Sequence, residues 1–249
     1  MSDFKKILTS FRLKESLNVD IWQKTNGGYT MKTKVRDRLL KIANDFIEFL
    51  DVDLVISDII MSGSLANYNW SDYSDIDLHI TADFSQFNDR EQELYEELFH
   101  LKKSLYNKKH NITIYGYEVE LYVEDISQQY DVKNIAKFSV LNDEWIETPV
   151  KNEVEFSNDR VKSKAQQWMN IIDGVIDNVK DEDFDDAKDL IEKYNDKLRK
   201  YRTCGLQKGG EYSDENLVFK VLRRNGYLEK LKELKSKITD KQLSLKESR

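Results

Sequence analysis

Cysteine, proline and histidine are all scarce in this chain. Its 249 residues include one cysteine, Cys204, one proline, Pro149, and three histidines. A single cysteine cannot form an intrachain disulfide or a zinc site of several thiolates, so we expect a reducing, cytoplasmic setting. No apolar run approaches the ~18 residues that a membrane-spanning helix needs, and residues 1–6 lack the apolar core of a signal peptide, so no membrane association is expected.

Several common active-site motifs are also missing. The sequence has no Gly-x-Ser-x-Gly motif, no Walker A loop and no Rossmann glycine fingerprint. Serine-hydrolase, P-loop and dinucleotide-binding functions therefore have no support. His100 and His110 lack metal-ligand spacing, and Cys204 has no visible activating partner, so we expect an inert thiol.

Charge is distributed unevenly along the chain. The net charge of −7 argues against an indiscriminate nucleic-acid binder. Residues 191–249 nevertheless hold 16 Lys and Arg against 9 Asp and Glu, whereas residues 1–190 hold 23 against 37. The acidic part suits cation binding and the basic part allows a local contact with phosphates or RNA, although a lysine-rich helical surface would give the same balance.

Hydrophobic periodicity predicts helices and strands in the first part of the chain. Apolar steps of three and four predict amphipathic helices over about 31–50 and 89–108. In the second helix, four leucines form the predicted buried stripe: Leu94, Leu98, Leu101 and Leu105. Strands are predicted over 54–61, 75–80, 111–115, 117–124, 138–141 and 145–148. Gly116 alone separates two of these strands, which predicts a tight hairpin.

The character of the sequence changes beyond Pro149. Apolar residues then recur only at helical spacing, and Ser213 is a plausible N-cap after a predicted loop over 205–210. We therefore predict an α+β fold with a mixed sheet and flanking helices over residues 1–152, followed by an all-helical domain over 153–249.

The most informative segment joins two predicted strands. The first strand runs into Gly63-Ser64, and after a gap of ten residues Asp75 and Asp77 alternate on one face of the second strand. Two such carboxylates can share a divalent cation, and their oxygens suit Mg²⁺, whose coordination is usually completed by substrate phosphates. Gly63 lets the backbone approach a triphosphate, and Ser64 adds a hydroxyl and an N–H donor. An isolated Asp-x-Asp is more often a solvated strand edge, so the prediction depends on the whole combination.

This combination resembles the signature of the polymerase-β-like nucleotidyltransferase superfamily, which includes CCA-adding enzymes, aminoglycoside nucleotidyltransferases and cyclic-dinucleotide synthases. The signature is an apolar residue, Gly, then Gly or Ser, a gap of about ten, and Asp-apolar-Asp-apolar. Ser62 stands where the signature has the apolar residue. The segments 63–80, 118–122, 209–213 and 215–220 further resemble predicted nucleotidyltransferases of tailed phages, which would act in the host cytoplasm.

The resemblance implies a set of metal-binding carboxylates. Asp75 and Asp77 would hold Mg²⁺ or Mn²⁺, and the superfamily requires a third carboxylate on a later strand. Glu120, between two apolar residues, fits best, and Glu118 on the same strand face stays open. In the family, the third carboxylate is a metal ligand or a base toward the acceptor hydroxyl.

The resemblance also implies a nucleotide-binding set and a reaction. Gly63 and Ser64 would bind the triphosphate, while Lys220 and Arg224, from a helical domain closing over the cleft, would reach its phosphates. The reaction would move a nucleoside monophosphate from ATP or another NTP to an acceptor hydroxyl on RNA or a tRNA end, a protein or a small molecule. Pyrophosphate would leave.

Two other functions stay open from the sequence. A non-catalytic nucleotide-binding protein on the same fold would bind NTP without releasing pyrophosphate, and an interaction protein would carry the Asp pair incidentally. We also expect His79 to make a structural hydrogen bond, and Tyr68, Trp70 and Tyr73 to pin the loop between the two halves of the motif.

Overall fold

The chain divides into two compact units. The computed structural model describes residues 2–128, 136–151, 155–178 and 184–244. One unit, residues 12–152, carries the strands, and the other combines residues 1–11 with 153–249. The predicted domain boundary itself lies outside the described residues. The prediction assigned residues 1–11 to the sheet domain, whereas the structure groups them with the helices.

Strands and helices intermingle in the first part of the chain, and only helices follow. In chain order, the described elements are α1 (Ser2–Thr9), β1 (Trp22–Thr25), β2 (Gly28–Met31), α2 (Thr33–Leu50), β3 (Ile56–Ser62), β4 (Ile76–Ala82), α3 (Asp89–Lys109), β5 (Thr113–Ile114), β6 (Tyr117–Asp125), β7 (Lys137–Ser139), β8 (Glu144–Glu147), α4 (Asn158–Asn178), α5 (Phe184–Gly209), α6 (Asp214–Arg224) and α7 (Tyr227–Leu243). Within the described ranges, no helix combines the length and apolarity needed to cross a membrane.

Six strands form one mixed sheet. Their order across the sheet is β5-β6-β4-β3-β7-β8, while β1 and β2 form a separate hairpin that the sequence did not predict. β4 and β6 are parallel, and α3 lies between them in the chain, as a parallel pair requires a crossover. All other neighbouring pairs are antiparallel. The α+β class, with a mixed sheet and a helical C-terminal region, is confirmed.

The apolar face of the sheet forms the core together with α2. In β4, Ile76, Leu78 and Ile80 are fully buried. The buried stripe of α2 follows the predicted helical spacing and consists of Val35, Leu39, Ile42, Ala43, Phe46 and Leu50. Because side chains alternate across a strand, Asp77 and His79 are carried to the opposite, polar face.

The helix α3 has the predicted extent but buries a different face. Leu94, Leu101 and Leu105 are exposed, with 64%, 65% and 56% of their surface accessible. Phe99 and Tyr106, one heptad apart, are buried instead. Aromatic rings bury more apolar area than leucines, so they decide the orientation of the helix. The predicted leucine stripe was wrong.

Turn chemistry explains one correct and one wrong prediction. Tyr115 and Gly116 have φ of 52° and 89° and close the predicted β5–β6 hairpin, because positive φ at both turn positions matches the twist of a hairpin. The predicted loop over 205–210 is instead part of α5, which continues to Gly209. Gly205 lies within that helix, where a Cβ would overlap the Glu215 side chain and come 2.7 Å from the Oγ of Ser213, so the close approach of these residues requires glycine at this position. Ser213 caps α6 as predicted, accepting a 3.3 Å hydrogen bond from a backbone N–H.

Truncation of a side chain should have different effects on stability on the buried and the exposed face of α3. We expect Phe99→Ala to lower the free energy of unfolding by about 3–5 kcal/mol, because it removes a buried ring. Leu101→Ala, on the exposed face, should change it by less than about 0.5 kcal/mol. Urea unfolding of both variants measures the difference, and similar losses would contradict the observed orientation of the helix.

Candidate active site

Three carboxylates converge on the polar face of the sheet. Asp77 lies on β4 between its Cα partners Ser62 on β3 and Glu120 on β6. Asp75 immediately precedes β4, whereas the sequence predicted it as the first strand residue. Asp75, Asp77 and Glu120 are half-buried and each offers one oxygen that lies within 4.8 Å of the other two. Oxygens this close can coordinate a common divalent cation.

The register of β6 distinguishes the two candidate third carboxylates. Glu120 is the Cα partner of Asp77 and belongs to the cluster. Glu118 is exposed, pairs with Thr113 on the other side of β6, and lies outside the cluster. The geometry therefore favours Glu120 over Glu118, as the resemblance in the sequence analysis did.

Gly63 turns the chain beside the Asp77 carboxylate. Its φ of 79° and ψ of −163° lie in a region that is essentially restricted to glycine. A Cβ at this position would overlap Asp77 Oδ2 and lie 3.0 Å from its Cγ. Both the backbone conformation and the position of the carboxylate therefore require glycine here.

The Ser64 hydroxyl holds the loop that presents Asp75. Ser64 Oγ donates a 2.7 Å hydrogen bond to the hydroxyl of Ser74, the residue before Asp75. The Ser74 hydroxyl in turn accepts a 3.0 Å bond from the Ser71 N–H. Ser64 was predicted as a phosphate ligand, and the structure gives its hydroxyl a positioning contact within the loop.

Two tryptophans join the same loop to the N-terminal segment, Trp70 from within the loop and Trp22 from outside it. The Trp70 Nε1 donates a 2.9 Å hydrogen bond to the carbonyl of Ser16, which confirms the expected pinning role of Trp70. The Trp22 Nε1, from the unpredicted β1–β2 hairpin, donates a 2.7 Å bond to the carbonyl of Leu65, next to Ser64. Nothing local in the sequence indicated that Trp22 contacts this loop, since the two residues are far apart in the chain.

The Asp77 carboxyl group has a strongly perturbed pKa. Burial, together with the negative charges of Asp75 and Glu120, raises this pKa from 3.8 to about 7 against the opposing effects of His79 and Lys103. A divalent cation between the three carboxylates would remove the repulsion and favour the ionised form. The electrostatics of the cluster therefore suit cation binding.

His79 makes the structural hydrogen bonds expected of it. Its Nδ1 lies 2.7 Å from Glu124 Oε1 and its Nε2 lies 3.0 Å from Ser62 Oγ. The His79 ring stacks on Tyr122 with 4.8 Å between centroids. The hydrogen bond from His79 is the main reason why the pKa of Glu124 is lowered.

Tyr122 and Lys103 support Glu120, and the sequence assigned neither a role. The Tyr122 hydroxyl donates a 2.5 Å hydrogen bond to Glu120 Oε2, and burial together with this bond raises the pKa of Tyr122. The Lys103 ammonium lies 3.3 Å from the Tyr122 ring centroid. Burial lowers the pKa of Lys103, although Glu120 and Asp77 oppose this shift. Lys103 lies on a charged helix, where sequence alone does not distinguish it from solvated lysines.

The predicted phosphate ligands of the C-terminal part make contacts within the helical unit. Lys220 forms an ion pair with Glu211. Arg224 donates a 2.6 Å hydrogen bond to the Ser10 hydroxyl, and its guanidinium lies 4.9 Å from the Phe11 ring centroid. Contact of Lys220 or Arg224 with a nucleotide stays a prediction.

Comparison of the chain with protein-family models, with curated proteins and with solved structures found no match. A function must therefore be inferred from the geometry of the three carboxylates and from the motif that contains two of them. That geometry consists of an all-oxygen cluster beside a glycine turn, on the polar face of a mixed sheet.

The tight contact at Gly63 predicts a severe effect of a single methyl group. We expect Gly63→Ala to lower the free energy of unfolding by about 2 kcal/mol or more, because it combines backbone strain with displacement of Asp77. Gly27→Ala is the matched control, since no atom lies within 4 Å of a Cβ there. Thermal melts with and without Mn²⁺ measure both stability and metal binding, and a normal Mn²⁺ response in Gly63→Ala would contradict the account.

The raised pKa of Asp77 predicts the pH dependence of stability without metal. The folded protein holds the Asp77 proton up to about pH 7, whereas the unfolded chain releases it near 3.8, so the free energy of unfolding should fall as pH rises between these values. Asp77→Asn should stabilise the metal-free protein at pH 8 by about 1–3 kcal/mol. Urea unfolding in EDTA tests this, with the exposed Glu118→Gln as control; equal effects of both variants would argue against it.

Proposed function

We propose that this chain is a metal-dependent nucleotidyltransferase, which moves a nucleoside monophosphate from an NTP to an acceptor hydroxyl and releases pyrophosphate. The observation that carries the proposal is the placement of Asp75, Asp77 and Glu120 within 4.8 Å of one another beside the Gly63 turn. This arrangement joins the two halves of the sequence motif to a third carboxylate from β6, which is far from them in the sequence but pairs with β4.

The chemistry of the cluster fits Mg²⁺ or Mn²⁺. Its donors are carboxylate oxygens alone, which these hard cations prefer, and a histidine- or thiolate-rich zinc set is not present in it. The histidine on the same strand face, His79, is already bonded to Glu124. When bound, such ions neutralise phosphate charge and lower the pKa of the acceptor hydroxyl.

Asp77 lies between the residues that would bind the triphosphate and the residue that would face the acceptor. Gly63 and the Ser64 N–H follow β3 on one side, where they would bind the triphosphate. Glu120 lies on β6 on the other side, where its carboxylate would face the acceptor. Phosphoryl transfer places the attacking and leaving oxygens roughly in line, so entry of the two substrates from opposite sides is consistent with the sheet order.

Glu120 is the residue that we assign to the acceptor proton. The acceptor oxygen would form a bond to the α-phosphorus, the bond from that phosphorus to the bridging oxygen would break, and pyrophosphate would leave with the electron pair. The proton of the acceptor hydroxyl would pass to Glu120. The Tyr122 hydroxyl holds Glu120 Oε2, which leaves the other oxygen for the metal or the hydroxyl.

The matched carboxylates of β6 test this function. The protein is incubated with each α-labelled NTP, Mg²⁺ and host lysate, and both pyrophosphate and labelled products are measured. We expect Glu120→Gln to lower pyrophosphate release about 100-fold or more, because it removes a metal ligand and base. Glu118→Gln, an exposed carboxylate two residues away, should retain activity within about threefold.

The same assay separates this function from the alternatives. NTP binding by the unchanged protein without pyrophosphate release would identify a non-catalytic nucleotide-binding protein. Absence of any Mg²⁺-dependent nucleotide binding would indicate an interaction protein. Equal activity of the Glu120→Gln and Glu118→Gln variants would overturn the assigned role of Glu120.

A further inference from the structure

A row of leucines lies on the surface of α3. Leu94, Leu101 and Leu105 are each more than half exposed, and Leu98 between them is partly exposed. Steps of four, three and four residues place all four on one face of the helix, and we call them the leucine row. Single exposed leucines are ordinary on protein surfaces, whereas a contiguous apolar row marks an interaction site.

The spacing of the leucine row is that of a coiled-coil seam. α3 already packs against the core of its own chain through a different face, which contains Phe99 and Tyr106. The leucine row is a second, narrower stripe, with the alternating steps of three and four residues that let two helices pair. α3 therefore has one apolar face for its own core and another that fits a second helix.

The leucine row has the same spacing in both chain directions. In an antiparallel pair of α3 helices related by a two-fold axis, Leu94 would lie level with Leu105 of the second copy, and Leu98 with Leu101 of the second copy. Every leucine of the row would then pack against a leucine. A two-fold interface requires such self-complementarity, because the same surface supplies both of its sides.

The charges of α3 favour the antiparallel direction. Acids lie near the start of the helix and two lysines lie in its last turn: Asp89, Glu91, Glu93, Lys108 and Lys109. Within the ranges that the structure describes, these five side chains form no ion pair. Arg90 lowers the negative charge at the start of the helix without reversing it. Antiparallel pairing places the acidic end of one helix beside the basic end of the other, whereas parallel pairing would place like charges together.

We propose that two copies of this chain associate through their α3 helices, packed antiparallel along the leucine row. Four leucines from each copy form the apolar centre of the interface, and opposite charges meet at both of its ends. An interface of this size is at the small, transient end of protein–protein contacts, so we expect a dissociation constant of about 10 µM. Lys103, which contacts the Tyr122 ring, lies on a different face of α3, so association does not require the proposed reaction.

Association is measured first, by sedimentation of the full chain between about 1 and 100 µM, without NTP or metal. The average mass should rise with concentration from 29.5 kDa toward twice that value. The double variant Leu94→Gln, Leu105→Gln should dimerise about tenfold more weakly or worse, because it buries polar amides in the apolar centre of the interface. The control double variant Val19→Gln, Leu243→Gln changes two other exposed apolar residues and should dimerise within about twofold of the unchanged chain.

Cross-linking then determines the direction of the two helices. The native thiol is removed by Cys204→Ser, and Leu94→Cys and Leu105→Cys are made in separate chains of this background. Oxidation of a mixture of the two chains should give a disulfide-linked dimer, because these positions face each other in the antiparallel pair. The Leu94→Cys chain alone should not cross-link, since its two thiols would lie about 16 Å apart along the helix axis.

Three results would overturn the proposal. They are a mass that stays at 29.5 kDa up to about 100 µM, an equal loss of association in both double variants, and cross-linking of the Leu94→Cys chain alone. None of these results bears on nucleotide transfer, so the proposed function is tested separately. Urea unfolding of Leu101→Ala is measured below about 1 µM, where the chain is monomeric and the loss of an interface does not contribute.

Discussion

The candidate active site depends on three carboxylates being held close together despite their electrostatic repulsion. Asp77 is the centre of this arrangement, because its carboxylate lies against Gly63 and its strand pairs with that of Glu120. The buried residues Ile76 and Leu78 flank Asp77 in the chain and fix the register of β4. A slip of one residue would bring Asp77 into the core, so the apolar face of the sheet maintains the charged cluster on the polar face.

The neighbouring elements stabilise this cluster in different ways. The loop that presents Asp75 is held by the bond between Ser64 and Ser74 and by two tryptophan hydrogen bonds to the N-terminal segment, one donated by Trp70 of the loop and one donated to the loop by Trp22. Glu120 is oriented by Tyr122, and Lys103 adds a positive charge beside them.

Local spacing explains why part of the site could be predicted from the sequence. Gly63, Asp75 and Asp77 lie within one strand–turn–strand segment, where alternation alone decides which side chains share a face. The choice between Glu118 and Glu120 required the register of a parallel pair, which α3 separates in the chain. The contacts of Lys103 and Trp22 depend on tertiary packing. The exposed leucines of α3 and the helical Gly205 gave misleading local patterns, because packing of aromatic rings and a close approach to Ser213 override them.

The central claim concerns one cation site and one nucleotide position. A crystal structure with Mn²⁺ and an NTP analogue that cannot be cleaved between its α- and β-phosphates would test it most directly. We expect anomalous density for manganese coordinated by oxygens of Asp75, Asp77 and Glu120, with the triphosphate at the Gly63 turn. Manganese bound elsewhere, or a triphosphate remote from Gly63, would contradict it.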